Sequence, residues 1–160
     1  MLKNILTIFL TLHFISTGAQ DIKRIDTEEL EKILQNENDN LNVVNFWATW
    51  CSPCVTELPY FQDASNKFSE KEVSFLLISL DFPSQVDTRL KPFLKEQNIN
   101  LPVVLMEDLD YNKWISKVDP TWKGSLPATL IFNNPKNIRV FISGALEKNE
   151  LMEFIEENLN

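Results

Sequence analysis

Leu41-Asn42-Val43-Val44-Asn45-Phe46-Trp47-Ala48-Thr49-Trp50-Cys51-Ser52-Pro53-Cys54 is the stretch on which the reading of this chain turns. Its first seven residues are apolar, aromatic and β-branched, the composition of a buried strand. From Cys54 onward Leu58, Phe61, Ala64, Ser65 and Phe68 follow helical spacing. Pro53 suits the first turn of a helix, where its missing N–H is no loss. Cys51 therefore falls at a strand-to-helix junction. Unpaired backbone N–H groups and the helix dipole stabilise an anion there, and the thiolate is the reactive form of a cysteine. Cys54 lies one turn further in, towards the body of the domain, and is expected to stay a protonated thiol until it attacks.

Cys51 and Cys54 are the only two cysteines, and three readings of the pair compete. A zinc site needs four protein ligands if structural and three if catalytic, and once His13 is lost by cleavage of the N-terminal segment only carboxylates could complete it. A structural disulfide stabilises mainly by closing a long loop, whereas this pair encloses two residues. A redox-active dithiol is the reading favoured by the junction in which the pair sits.

Working outward, 160 residues are enough for one domain. With 44% hydrophobic and 24% charged residues the composition is that of a globular protein. The net charge of −8 argues against a nucleic-acid partner, whose affinity comes mainly from Lys and Arg on phosphates. At the N-terminus, Lys3 precedes an uncharged, mostly apolar run from Ile5 to Ile15 and the small residues Ser16-Thr17-Gly18-Ala19. That order predicts a secretory signal peptide over 1–19, leaving a domain over 20–160. The run is too short to span a bilayer, which takes about 20 residues; the alternative is a retained N-terminal anchor. Cleavage would remove His13, the only histidine. A Cys-His or Ser-His-Asp mechanism and a histidine metal site would go with it.

The remaining pattern alternates. Residues 22–35 read as strand and helix, with Asp26 and Glu29 as a capping box. Val73 to Leu80 reads as a strand buried on both faces. Ser84 to Asp87 looks like a second capping box, opening a helix through Gln97 that Pro92 bends. Leu101 to Met106 is a short strand, and Leu109 to Val118 is helical in pattern. Ala128–Phe132 and Ile138–Ile142 read as strands joined by a polar turn. A last helix spans Lys148–Leu159, and Pro59 should kink the helix after Cys54. The sum is an α/β fold: a central mixed sheet flanked by helices on both faces.

Phe46-Trp47-Ala48-Thr49-Trp50-Cys51-Ser52-Pro53-Cys54 resembles the active-site segment of thioredoxin-fold proteins. The run through Glu57-Leu58-Pro59 most resembles the TlpA-like extracytoplasmic thiol–disulfide reductases. A second segment, Gly124-Ser125-Leu126-Pro127-Ala128-Thr129-Leu130-Ile131-Phe132, resembles the one that carries that family's cis-proline. The two together cover the chain from about residue 22 to its end. The resemblance implies a thioredoxin-like fold and dithiol–disulfide exchange, with Cys51 as nucleophile and Cys54 as resolving thiol. It implies a cis Leu126–Pro127 bond opposite the dithiol, where Leu126 pairs main chain to main chain with an extended substrate. Trp50 is expected as an exposed aromatic lip of that surface, and Trp47 as core.

Two departures qualify the transfer. Asn45 stands where thioredoxin has a buried Asp, and an Asn cannot accept the Cys54 proton. Glu57, one turn beyond Cys54, is a candidate for that proton, against the alternative of a solvated helix residue. The N-terminal β-hairpin of membrane-linked members is missing from the pattern, which weakens any transfer of a cytochrome c maturation role. Asp108-Leu109-Asp110 lacks the remaining ligands of a calcium loop and reads as a helix-start loop. No cofactor or metal beyond the redox disulfide is expected. The partners expected are a disulfide-containing protein substrate and, for a periplasmic reductase, an electron-donating membrane protein; the chain itself is expected as a monomer. A disulfide oxidase or isomerase, a non-catalytic peptide-binding module and a thiol peroxidase are the alternatives.

Overall fold

Every residue of the strand at Leu41–Trp47 is buried, because it lies inside a six-stranded sheet. The computed structural model describes residues 21–159; the signal-peptide expectation for 1–19 lies outside them. In chain order the strands are β1 (Lys23–Ile25), β2 (Leu41–Trp47), β3 (Val73–Ser79), β4 (Val103–Met106), β5 (Ala128–Asn133) and β6 (Ile138–Ser143). The helices are α1 (Thr27–Leu34), α2 (Ser52–Lys67), α3 (Lys91–Glu96), α4 (Ile115–Val118) and α5 (Lys148–Leu159). The sheet order is β1-β4-β3-β2-β5-β6. β1 to β4 are parallel to one another, β5 runs antiparallel to β2, and β6 runs antiparallel to β5.

Side-chain alternation along β2 feeds two cores. Val43 and Trp47 join Leu58 and Phe61 of α2, Leu94 of α3 and Leu151 of α5 on one face. Val44 and Phe46 join Leu30 of α1, Val118 of α4 and Trp114 on the other. The mixed sheet with helices on both faces is therefore as the pattern predicts.

The capping box at the start of α1 is present: Asp26 Oδ1 accepts from the Glu29 N–H at 2.9 Å, and Glu29 accepts from the Asp26 N–H. Three expectations need correction. The helix predicted from Ser84 to Gln97 is instead a 3₁₀ turn (Pro83–Gln85), a π turn (Val86–Leu90) and α3, with no side-chain cap. Pro92 has no N–H to give to the carbonyl of residue 88, and its ring crowds that carbonyl. The turn before it widens, so that the Lys91 N–H reaches back to Val86. The helix predicted over Leu109–Val118 is only a 3₁₀ turn at Tyr111–Lys113 followed by α4. There the Asp108 side chain takes the Asp110 N–H, competing with helix formation. Finally, β3 is fully buried only in its second half, since Val73 to Leu76 are partly exposed. The assigned helix α2 continues past Pro59 to Lys67.

Candidate active site

β2 ends at Trp47, and the chain turns within four residues into α2. The Cys51 N–H bonds back to the Ala48 carbonyl at 3.1 Å, closing that turn. Cys51 is the N-cap of α2, and its Sγ accepts from the Cys54 N–H at 3.3 Å. The sulfur thus sits at the positive end of a sixteen-residue helix. Cys51 and Cys54 form a disulfide with their Cα atoms 5.2 Å apart. Cys51 keeps 7% of its surface and Cys54 keeps none, so the two sulfurs are inequivalent towards an incoming molecule. Trp50, immediately before the pair, is 49% exposed, whereas Trp47 is fully buried.

The turn is held from below by Asp81, which sequence reasoning missed. This fully buried carboxylate follows β3. It accepts from the Thr49 N–H at 3.1 Å, the Thr49 hydroxyl at 2.5 Å and the Ser79 hydroxyl at 2.8 Å. The available signal was an acid directly ending an apolar strand, where it must find donors or stay unpaired.

Phe46 of β2 is opposite Ala128 of β5, so Pro127 reaches the sheet edge beside Trp47. The Leu126–Pro127 bond is cis. Leu126 is partly buried and packs on both cores. Leu126 and Pro127 thus share the sheet edge with the dithiol. Lys123 is exposed on the loop before them.

Glu57 corrects the solvated alternative, because only 1% of it is exposed. Its Oε1 accepts from Asn45 Nδ2 at 2.8 Å and its Oε2 from the Leu146 N–H at 2.8 Å. Burial pushes the carboxyl up to about 7, and the two N–H donors only partly oppose it. Asn45 Nδ2 also reaches Thr129 Oγ1 at 3.1 Å, while Asn45 Oδ1 is buried without a partner. Asn45 thus links Glu57 on α2 to Thr129, two residues beyond the cis-proline.

Other singled-out residues go elsewhere. The Asp108 carboxylate accepts from Thr27 Oγ1 and the Asp110 N–H and pairs with Lys113. These bonds, the Thr27 hydroxyl foremost, hold its carboxyl below the usual range. It orders the loop after β4. Among the described residues no group of three or more His, Cys, Asp or Glu side chains is placed to hold a metal. No described helix is long and apolar enough to cross a membrane. A groove of about 490 Å³ lies between α1 and the first halves of β2 and β3, at the end of those strands away from the cysteines.

The chain matches the AhpC/TSA family over residues 15–141. It is 32% identical over 116 residues to the thiol-disulfide oxidoreductase ResA of Oceanobacillus iheyensis, covering 72% of this chain. That match spans only 55% of the relative's length. A thioredoxin-related protein from Neisseria meningitidis superposes with a TM-score of 0.65 at 24% identity, over 78% of this chain and 88% of that one. A thiol:disulfide interchange protein of the thioredoxin family from Chlorobium tepidum superposes with a TM-score of 0.63 at 22% identity, over 76% and 81%. At these identities the two structures show the fold, which is thioredoxin-like.

Proposed function

The chain belongs to the AhpC/TSA family of thioredoxin-fold proteins, and from that premise we propose that it is an extracytoplasmic thiol–disulfide oxidoreductase that reduces disulfides in other proteins. The observation that carries this is the Cys51–Cys54 disulfide, with Cys51 capping α2 and the cis Leu126–Pro127 bond immediately before the adjoining strand β5. The name of the Oceanobacillus relative supports the activity. The charge order of residues 1–19 supports the compartment.

In this reading the reduced Cys51 thiolate attacks one sulfur of a substrate disulfide. The substrate's S–S bond breaks, a mixed disulfide forms, and the departing substrate thiolate takes up a proton. Cys54 then gives up its proton and attacks Cys51 Sγ, releasing the second substrate thiol and closing the Cys51–Cys54 bond. Two electrons pass from the dithiol to the substrate. Glu57 receives the Cys54 proton: it lies one helical turn further on and titrates near neutral pH. Trp50 and Leu126-Pro127 hold the substrate chain. Ser52-Pro53 places no cation between the sulfurs to stabilise a thiolate, which favours a reductant. A membrane protein would return the electrons.

The midpoint potential of the couple tests the direction. A value near or below about −250 mV, close to thioredoxin's, is expected. A value above about −180 mV would make the protein an oxidase or isomerase. Absence of any reversible couple would leave a peptide-binding module, whose binding survives replacement of both cysteines by Ser. Peroxide consumption in a thiol-coupled assay would move the reading to a peroxidase.

A further inference from the structure

Four large apolar side chains stand exposed among the described residues: Trp50, Phe82, Leu109 and Tyr111. All four follow the C-terminal ends of neighbouring parallel strands. The register sets Trp47 of β2 opposite Ser79 of β3, and Ser79 opposite Leu105 of β4. Three residues beyond that level come Trp50 and Phe82; four beyond it comes Leu109. Adjacent strands lie about 4.8 Å apart, so the three strand ends from which these residues spring span about 10 Å. The row starts at the residue next to Cys51 and leads away from the cis peptide bond, which lies on the other side of β2.

The backbone under this row is anchored. Thr49 donates twice to Asp81, which ties together the residues immediately before Trp50 and Phe82. Asp108, immediately before Leu109, accepts from Thr27 Oγ1 at 2.9 Å and, at its carbonyl, from Trp114 Nε1 at 3.0 Å. Single exposed apolar residues are ordinary, whereas exposed apolar residues that adjoin to form one patch mark an interaction site. Side chains on a fixed backbone lose less freedom on binding than those on a loose loop.

We propose that Trp50, Phe82 and Leu109 form a second arm of the substrate surface, which takes apolar side chains two to four positions from the reacting cysteine of the substrate. The occupant follows from continuity with the dithiol. A chain whose disulfide reaches Cys51 extends to both sides of it; one flank lies over the cis-proline and the other over this row. An extended chain advances about 3.3 Å per residue, so 10 Å is about three residues. The inference rests on the exchange reading above and deepens it: the preferred substrates are disulfides with an apolar flank.

The test uses the reduced protein and two synthetic peptides. Each has one cysteine in mixed disulfide with 2-mercaptoethanol, and they differ only in Leu or Ser at the second to fourth positions on both sides. Wild type is expected to reduce the Leu peptide about tenfold faster. In Phe82→Ser/Leu109→Ser that ratio should fall to near one, and in Phe82→Ser alone to about threefold. Both replaced side chains are about half exposed, so folding does not depend on them. A tenfold preference that survives in the double variant, or no preference in wild type, overturns the second arm. Bis(2-hydroxyethyl) disulfide separates the two ideas. Wild type that reduces it without preferring the Leu peptide keeps the exchange reading and loses the arm, whereas failure on every disulfide removes both.

Discussion

Glu57 places a carboxyl in the core where only two N–H donors meet it, and its titration should be visible in stability. Its folded pKa, about 7, lies above the ordinary 4.5. The native state therefore holds a proton between those values that the unfolded state has lost, and stability falls as pH rises through the window. The full cost above pH 7 is roughly 3 kcal/mol at about 1.4 kcal/mol per unit. Denaturant unfolding at pH 5 and pH 8 should show this decline, and Glu57→Gln should flatten it. An equal slope in the variant would move the effect to another group. Asp81 is the second buried acid, with three donors turned to it. Asp81→Ala leaves them unsatisfied and should cost about 2–3 kcal/mol, with Asp81→Asn recovering part; a loss under 1 kcal/mol would contradict the proposed support of the turn. Residues defined by local spacing were readable from the chain alone: Cys51 at a helix start, Trp50 beside it, Pro127 by its segment. Glu57 and Asn45 were only half readable. Glu57's partners lie 12 and 89 residues away and Asn45's 12 and 84, and only the packed fold decides whether a helix residue faces water or the Leu146 amide.

At the scale of elements, strands and long helices stand where the pattern put them because one periodicity governed each, although the first half of β3 is only partly buried. Lys148–Leu159 is a helix over the residues predicted. The connections from Pro83 to Glu96 and from Leu109 to Val118 differed because two local forces compete there. Apolar spacing asks for a helix, while Pro92 and the Asp108 side chain remove or capture the N–H groups a regular helix would use. The π turn at Val86–Leu90 is a compromise of this kind. Its amides should exchange with deuterated water at least tenfold faster than those of Leu58–Ala64 in α2; equal protection would show that the segment opens only with the whole domain. At the start of α1, Asp26→Ala removes a capping box and should cost about 1 kcal/mol in thermal or chemical unfolding.

For the whole molecule, the charge of −8 acts at a distance. Cationic substrates should be drawn in and acidic ones held off, so raising ionic strength should slow exchange with a Lys-rich disulfide peptide and speed it with a Glu-rich one. Salt-independent rates for both would show that encounter is governed by contact alone. The position of β2 has a wider consequence. This strand is buried along its whole length, touches both cores, and delivers the chain to Cys51 four residues after it ends. Among the described residues the turn that carries Cys51 hangs directly from this strand, so its geometry depends on the sheet. Loss of turnover on heating should then coincide with loss of the sheet, making a simple thiol assay a thermometer for the integrity of the entire domain.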